Sequence, residues 1–278
     1  MNEDRIEIAG ASLKVWRDAP SWGGRKTAAL GDFNCRDAGA GARLLAEAAV
    51  RLKSEGFEAL VGPMNGDTWS THRLAVESDG RPPFLMEPAN PTHYPLAFEQ
   101  AGWSVIGRYA SAEGPLPETA TPTVPPPGVE LSSFNLDRAD AELADLHRVS
   151  LVAFTRGFLY RPLSLEAFVA QYRPVLGRLD PDLVVMARDE TDDLQGFLFA
   201  IPDLADPSPD RAVILKTYAS LKPGLGSSLA RRFYAHAAAR GYRRVIHALM
   251  HDDNLSARHS ARLGATVFRR YALWGRTL

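Results

Sequence analysis

The run Ala212-Val-Ile-Leu-Lys-Thr-Tyr-Ala-Ser-Leu-Lys-Pro-Gly-Leu-Gly226 turns an apolar, strand-like segment through Lys222–Gly226 into a helix-patterned stretch, Ser227–Arg240. Leu225, Leu229 and Phe233 fall at helical spacing, and Gly241 supplies the usual C-terminal stop. A strand feeding a Gly-x-Gly turn that opens a helix is an anion-binding arrangement. Without Cβ atoms the backbone can approach a ligand, and the unpaired N–H groups and positive dipole end of the helix face it. Neither Gly39-Ala-Gly41 nor Gly224-Leu-Gly226 is followed by the third glycine of a dinucleotide fingerprint, because Leu44 and Leu229 stand there. No Gly-Lys-Ser/Thr follows either turn, which excludes a P-loop.

Downstream, Val245–Met250 reads as another strand, Asp253-Asn254 as the cap of a helix running to Leu263, and Gly264 as its end. Ala265–Trp274 closes as a strand or a bent pair of strands. The same order stands earlier in the chain. Thr27–Phe33 is strand-like, Gly39-Ala-Gly41 breaks it, Ala42–Glu55 is helical, Ala59–Gly62 is a strand and Asn90–Gln100 a helix. Gly41 and Gly56 are 15 positions apart, as are Gly226 and Gly241, and Gly102–Ala110 (GWSVIGRYA) matches Gly264–Ala272 (GATVFRRYA) at five of nine positions. These agreements identify a duplicated unit. The first copy carries 23 additional residues, roughly Pro63–Met86, holding Asn65, Thr68, Trp69, Ser70, Thr71, His72 and Arg73. Only the second has a full leading segment: a strand at Val129–Ser132, helices at Asp137–Val149 and Leu163–Leu176, and a hairpin of Leu183–Ala187 with Gly196–Ile201. The first copy reads as truncated, its front strands and helices missing.

Six prolines lie in the 16 residues Glu113–Gly128, an extended linker. The expected organisation is therefore a truncated domain at 1–112, a linker at 113–128 and a complete domain at 129–278. The 278 residues suit two domains. Formal charge is −1, yet Lys222–Leu278 holds eleven Lys/Arg against two acids, a local +9 that favours an anionic ligand there. With 45% hydrophobic and 23% charged residues the composition is that of a globular protein. No apolar run is long enough to span a membrane and the N-terminus has no apolar signal core. With a single cysteine, Cys35, a reducing cytoplasmic setting is the expectation.

On two motifs, 129–278 resembles the GNAT superfamily of acyl-CoA-dependent N-acyltransferases. One is the loop Arg/Gln-x-x-Gly-x-Gly/Ala, here Leu221-Lys-Pro-Gly-Leu-Gly226, and the other is an Asn opening the next helix, here Asn254. The first half carries a more literal loop, Arg36-Asp-Ala-Gly39-Ala-Gly41, and resembles the degenerate N-terminal domains of tandem GNAT proteins. The resemblance implies an α+β mixed sheet in tandem, with a truncated N-terminal copy. It also implies acetyl-CoA as cosubstrate, held by Ala219, Ser220, Leu221, Lys222, Gly224, Leu225, Gly226, Ser227 and Asn254, and a small amine or peptide as acceptor. Leu221 replaces the motif's Arg or Gln, and Ala261 stands where a helix tyrosine often serves as general acid. The first half is then a structural partner that walls the acceptor pocket.

Tyr218, His251 and Tyr271, at strand ends or a cleft edge, are the candidate acids and bases, with the oxyanion donor near Tyr218–Ser220. His93 with Tyr94, or His72 with Arg73, are candidate lining of an acceptor pocket. The remaining histidines lack ligand spacing, so no metal site is expected, and Cys35 has no catalytic constellation. The basic segment lacks interleaved aromatics, so no nucleic-acid partner is expected. A catalytically silent CoA-binding or sensing protein is the alternative.

Overall fold

The computed structural model describes residues 3–117, 124–206, 208 and 210–278. The first half builds β1 (Glu3–Ile8), β2 (Ala11–Trp16), β3 (Thr27–Cys35), α1 (Ala38–Ser54), β4 (Ala59–Gly62), β5 (Leu74–Ser78), α2 (His93–Gln100) and β6 (Ser104–Pro115). The second builds β7 (Val129–Ser133), α3 (Ala139–Ala153), α4 (Leu165–Tyr172), β8 (Val184–Asp189), β9 (Leu194–Pro202), β10 (Ala212–Ser220), α5 (Leu225–Ala239), β11 (Arg244–His251), α6 (Leu255–Arg262) and β12 (Thr266–Thr277). The middle of the proline-rich stretch, 118–123, lies outside the described residues.

All twelve strands join one sheet in the order β1-β2-β3-β4-β12-β6-β11-β10-β9-β8-β7, with β5 added to β12. The order records an exchange. β6, the last strand of the first half, pairs with β11 of the second, and β12, the last strand of the second, pairs with β4 of the first. β6 and β12 then pair with each other, antiparallel, with Tyr109 opposite Tyr271. These two tyrosines are the matched positions of the GWSVIGRYA/GATVFRRYA repeat, so a pseudo-twofold axis passes between them. The register obeys it: Arg108 faces Ala272 as Ala110 faces Arg270, and Ser104 faces Gly275 as Glu113 faces Thr266. The parallel pairs agree as well, Thr27–Ala29 on Ala59–Val61 matching Ala212–Ile214 on Arg244–Ile246 at a constant offset.

The first copy is less truncated than its sequence suggests. β1 and β2 form a hairpin whose alternating pattern buries Ile6, Leu13 and Val15 under α1, and they stand where β8 and β9 stand in the second copy. What it lacks are counterparts of β7, α3 and α4. Past Ala265, the segment to Trp274 is part of one 12-residue strand with two register shifts against β6, not a pair.

Each half packs its own helix on the sheet. α1 is capped by Asp37, whose side chain accepts from Ala40 N at 2.8 Å, and it buries Leu44, Leu45, Ala48 and Leu52 completely. Each such leucine contributes about 1.5–3 kcal/mol. α5 starts from Gly224, whose φ of 77° is a left-handed conformation that only glycine adopts cheaply, and buries Leu225, Leu229 and Phe233. β12 is shared between the cores. Its Trp274 stacks on Phe98 of α2, with centroids 5.1 Å apart, while its Phe268 packs edge-on to Phe84.

Because Trp274 comes from the second half yet fills the core of the first, Trp274→Ala should cost about 3–5 kcal/mol. Guanidinium unfolding followed by fluorescence and far-UV circular dichroism should show one shifted transition. Two separate transitions would mean that the halves unfold independently.

Candidate functional site

β3 and β4 pair in parallel only over Thr27–Ala29, and β10 and β11 only over Ala212–Leu215. Beyond these points both pairs of strands diverge, leaving a gap in each copy. In the first copy the chain fills its own gap. Met64 N donates to the Leu30 carbonyl (2.7 Å), Asp32 N donates to Asn65 Oδ1 (2.8 Å) and Asn65 Nδ2 to Asp32 Oδ1 (2.6 Å). α1 lies directly on α2, so close that a Cβ at Gly41 would stand 2.6 Å from the Ala97 methyl. His93 donates from Nε2 to the Cys35 carbonyl (2.8 Å), closing the turn above α1. Burial pushes the Cys35 thiol up to about 11, so it remains an un-ionised packing group.

In the second copy Leu215 and Thr217 take the places of Leu30 and Asp32; Leu215 makes the last parallel pair, with His247, and beyond it no described segment pairs with Thr217 on the side away from β9. α5 and α6 hardly touch. The gap therefore opens into a cleft of 2130 Å³ that passes through the sheet. One side is walled by Ala230 and Tyr234 of α5 and by Ser256, His259 and Ser260 of α6. The other is walled by the first copy's insertion and the residues just after it, at Thr68–Arg73 and Leu85–Ala89, and by Tyr160–Ser164 between α3 and α4.

Not all the residues expected from sequence meet here. Tyr218 lines the cleft, half-exposed, and a Cβ at Gly226 would run into its hydroxyl. Burial pushes its pKa up, so it is a phenol able to donate. Asn254 lines the cleft and precedes α6 without a side-chain capping bond. Ser220, Leu221, Lys222, Gly224, Leu225, Gly226 and Ser227 form the turn into α5 and its first residues, and none of them is among the residues that line the cleft. Ser220 Oγ donates to the Lys222 carbonyl (2.8 Å), Leu221 N to the Gln195 carbonyl (2.8 Å), and Lys222 lies 3.9 Å from Asp189. Ala219 and Leu225 are buried in the core.

Two candidates stand behind the wall. Tyr271 is 1% exposed because β5 of the insertion and β6 flank it on β12. Its hydroxyl donates to Glu87 and lies 3.0 Å from Ser111 Oγ, and burial together with Glu87 pushes its pKa well up. His251 is wedged edge-on to Tyr109 (4.9 Å) and beside Phe158 (5.7 Å), its Nδ1 accepting from Asp253 N (3.2 Å). Neither lines the cleft. Nor do His93 and Tyr94, which cover the first copy's turn, whereas His72 and Arg73 do.

Among solved structures the chain is similar to a GCN5-related N-acetyltransferase from Sphaerobacter thermophilus, with TM-score 0.57 and 15% identity over 96% of this chain and 76% of that one. It is similar to a tandem GNAT protein from the clavulanic acid biosynthesis pathway, with TM-score 0.56 and 14% identity over 96% and 79%. It also resembles a conserved protein of Enterococcus faecalis V583 described as a probable N-acyltransferase, with TM-score 0.61 and 11% identity over 99% of this chain and 62% of that longer one. No sequence-family model and no curated protein matches the chain. The chain has the GNAT fold.

Within that fold, the cleft holds Arg73, which the sequence names as pocket lining, together with polar groups that the sequence does not name as site residues. His247, at the point of divergence, accepts from or donates to Tyr234 Oη through Nε2 (3.3 Å) and Ser260 Oγ through Nδ1 (2.7 Å), and burial holds its pKa down to about 4. The matching first-copy positions are Gly62, Ala49 and Phe98, all without a polar side chain. Lys216 sits at the β10 register shift, where the first copy has Gly31. Its signal was present as the one charge in an apolar run. Arg73 lies over the Tyr109 ring at 4.2 Å and donates to the Leu249 carbonyl (3.3 Å). Glu87, which follows the insertion, pairs with Arg269 in a fully buried contact and accepts from Phe84 N at 2.9 Å.

Burial, with the Arg73 charge, brings Lys216 down to about 8 from its ordinary 10.5. Between those values the unfolded chain keeps a proton that the folded chain has released, so folded stability rises with pH across that window, by at most about 1.4 kcal/mol per pH unit. Urea unfolding at pH 8 and pH 10 should show this rise in wild type. Lys216→Met should lack it.

Proposed function

We propose that the chain is an acyl-CoA-dependent N-acyltransferase, moving an acetyl group from acetyl-CoA to the amine of a small molecule. The observation that carries the reading is the contrast between the two gaps. In the first, an extended piece of chain pairs with Leu30 and Asp32. In the second, β10 past the Leu215–His247 pair, at Thr217, is left to an extended, amide-bearing ligand, and the pantetheine arm of CoA is such a chain. The pyrophosphate then lies on the first N–H groups of α5, at the positive end of its dipole, reached through Gly224 and Gly226. Arg258 and Arg262 of α6 line the same cleft and add positive charge.

The divergence of β10 from β11 exposes backbone N–H groups to the thioester oxygen, because an antiparallel ladder to β9 uses only alternate residues of β10. The amine nitrogen attacks the carbonyl carbon, the C–N bond forms, the C–S bond breaks, and the amine's proton leaves to water in the open cleft. Tyr218 is the proposed donor of the proton taken up by the departing thiolate, since its phenol remains protonated and lines the cleft beside the turn into α5.

Thermal unfolding with millimolar acetyl-CoA should stabilise wild type, by about 2.7 kcal/mol at ~100 Kd. Gly226→Glu, which puts a carboxylate in the turn, should lose the shift. Absence of any wild-type shift overturns the reading, and a shift without thiol release from acetyl-CoA over a broad amine panel would leave a silent CoA binder. With an accepted amine, Tyr218→Phe should lower kcat about 100-fold with little change in the KM for acetyl-CoA.

A further inference from the structure

The wall of the cleft on the insertion's side carries more positive charge than it neutralises. Lys216 and Arg73 line it together, near enough that the Arg73 charge depresses the lysine. Among the described residues the Lys216 ammonium has no hydrogen-bond or ion-pair partner. Arg73 donates one bond to a backbone carbonyl, and its Nε is sealed from solvent with no partner at all. The adjacent carboxylate, Glu87, is already engaged by Arg269, Tyr271 and Phe84 N. Its charge acts on Lys216 as well but is chiefly met by Arg269, and neither Lys216 nor Arg73 has an ion-pair partner within 4 Å among the described residues. His72, beside them, is held neutral by burial, with a pKa lowered to about 3. Two half-buried like charges side by side and an unsatisfied guanidinium N–H are costly unless an anion completes them.

The strands' two faces locate that anion. Val213, Leu215 and Val245 pack towards α5, while Ala212, Ile214, Ile246 and Ala248 pack towards Phe84 and Phe268 on the insertion side. Lys216, at the register shift, opens with Arg73 and Glu87 onto the insertion side, opposite the α5–α6 gap.

We infer that the acceptor is an amine that also bears a carboxylate, an amino-acid-like molecule whose carboxylate is held by Arg73 and Lys216 on the face of the cleft opposite the acyl donor. This rests on the acyltransferase reading for the word acceptor, but the anion site itself does not. A flat guanidinium can offer two parallel N–H bonds to a carboxylate, and the lysine supplies a point charge beside it. The acceptor carboxylate takes no part in bond making. It fixes the amine at the divergence of β10 and β11.

The test pairs acids with neutral analogues. Calorimetric titration of the full chain, in the presence of CoA, would use the N-acetyl derivatives of the twenty amino acids and the carboxamide of each, so that the result does not depend on turnover. At least one acid should bind about tenfold or more tighter than its amide, and Lys216→Met and Arg73→Met should each remove that difference. If no acid binds tighter than its amide, the inference is overturned, whatever acetyl-CoA does. In the kinetic arm, thiol release from acetyl-CoA is followed with free amino acids and with their methyl esters. The acids should be preferred about tenfold or more in kcat/KM, and the preference should vanish in Lys216→Met, a variant that removes a charge rather than a core contact. Esters used as well as acids would overturn the inference while leaving the acyltransferase reading intact. A third arm replaces acetyl-CoA with succinyl-CoA. A large gain in kcat/KM for that donor, lost in Lys216→Met, would assign the cations to the acyl chain and overturn the acceptor assignment.

Discussion

The antiparallel contact of β6 with β12, centred on Tyr109 opposite Tyr271, is the constraint on which the rest of the molecule depends. Each half lacks a closing strand of its own and receives one from the other, so neither sheet is finished until this central pair has formed. Backbone pairing sets the symmetry, and side chains then reinforce it unequally. On one edge of β12, Arg269 and Tyr271 converge on Glu87 and tie the insertion to the centre of the sheet. A buried pair of this kind adds little net stability compared with apolar packing, but breaking it leaves an uncompensated charge, so it fixes one arrangement over others.

Symmetry makes the differences between copies informative. A single insertion, following β4, acts at two places. Its first residues, Met64 and Asn65, occupy the gap of their own copy, while Trp69–Arg73, with Leu85–Ala89 at its end and just after it, wall the cleft of the other. Around the two points of divergence, Gly31, Ala49, Gly62 and Phe98 on one side answer to Lys216, Tyr234, His247 and Ser260 on the other. One copy has put small and apolar groups where a chain packs tightly. The other has put donors and acceptors where a cleft stays open.

Much of this architecture could be read from sequence, because repeat identities survive where both copies meet the same surroundings. Tyr109 and Tyr271 match since each faces the other across the axis, and the paired glycines 15 positions apart mark helices of similar length, 17 and 15 residues. The strand exchange could not be read, because an open edge accepts either copy's last strand and only the assembled sheet distinguishes them. β1 and β2 were legible and passed over: Ser12-Leu13-Lys14-Val15 alternates as a half-buried strand must. Tyr271 reads as lying at a strand end or cleft edge when the closing strand is bounded at Trp274, yet the strand continues to Thr277 and β5 covers its flank. Arg73 is legible, with His72, as lining of an acceptor pocket, but its company of Lys216 and Glu87 is not, because Glu87 follows an insertion that has no counterpart to compare it with and local sequence does not tell which half it faces.

The exchanged strands also alter what a break in the backbone would mean. In beads on a string, a nick in the connection between β6 and β7 releases two bodies that diffuse apart. Here each fragment would keep one strand threaded into the other's sheet, held on both edges by ladders of hydrogen bonds. The connecting segment is thus dispensable as a tether. Its part is kinetic: it raises the effective concentration of each strand at its destination, and once the two are interlaced the molecule is a dimer written in one chain.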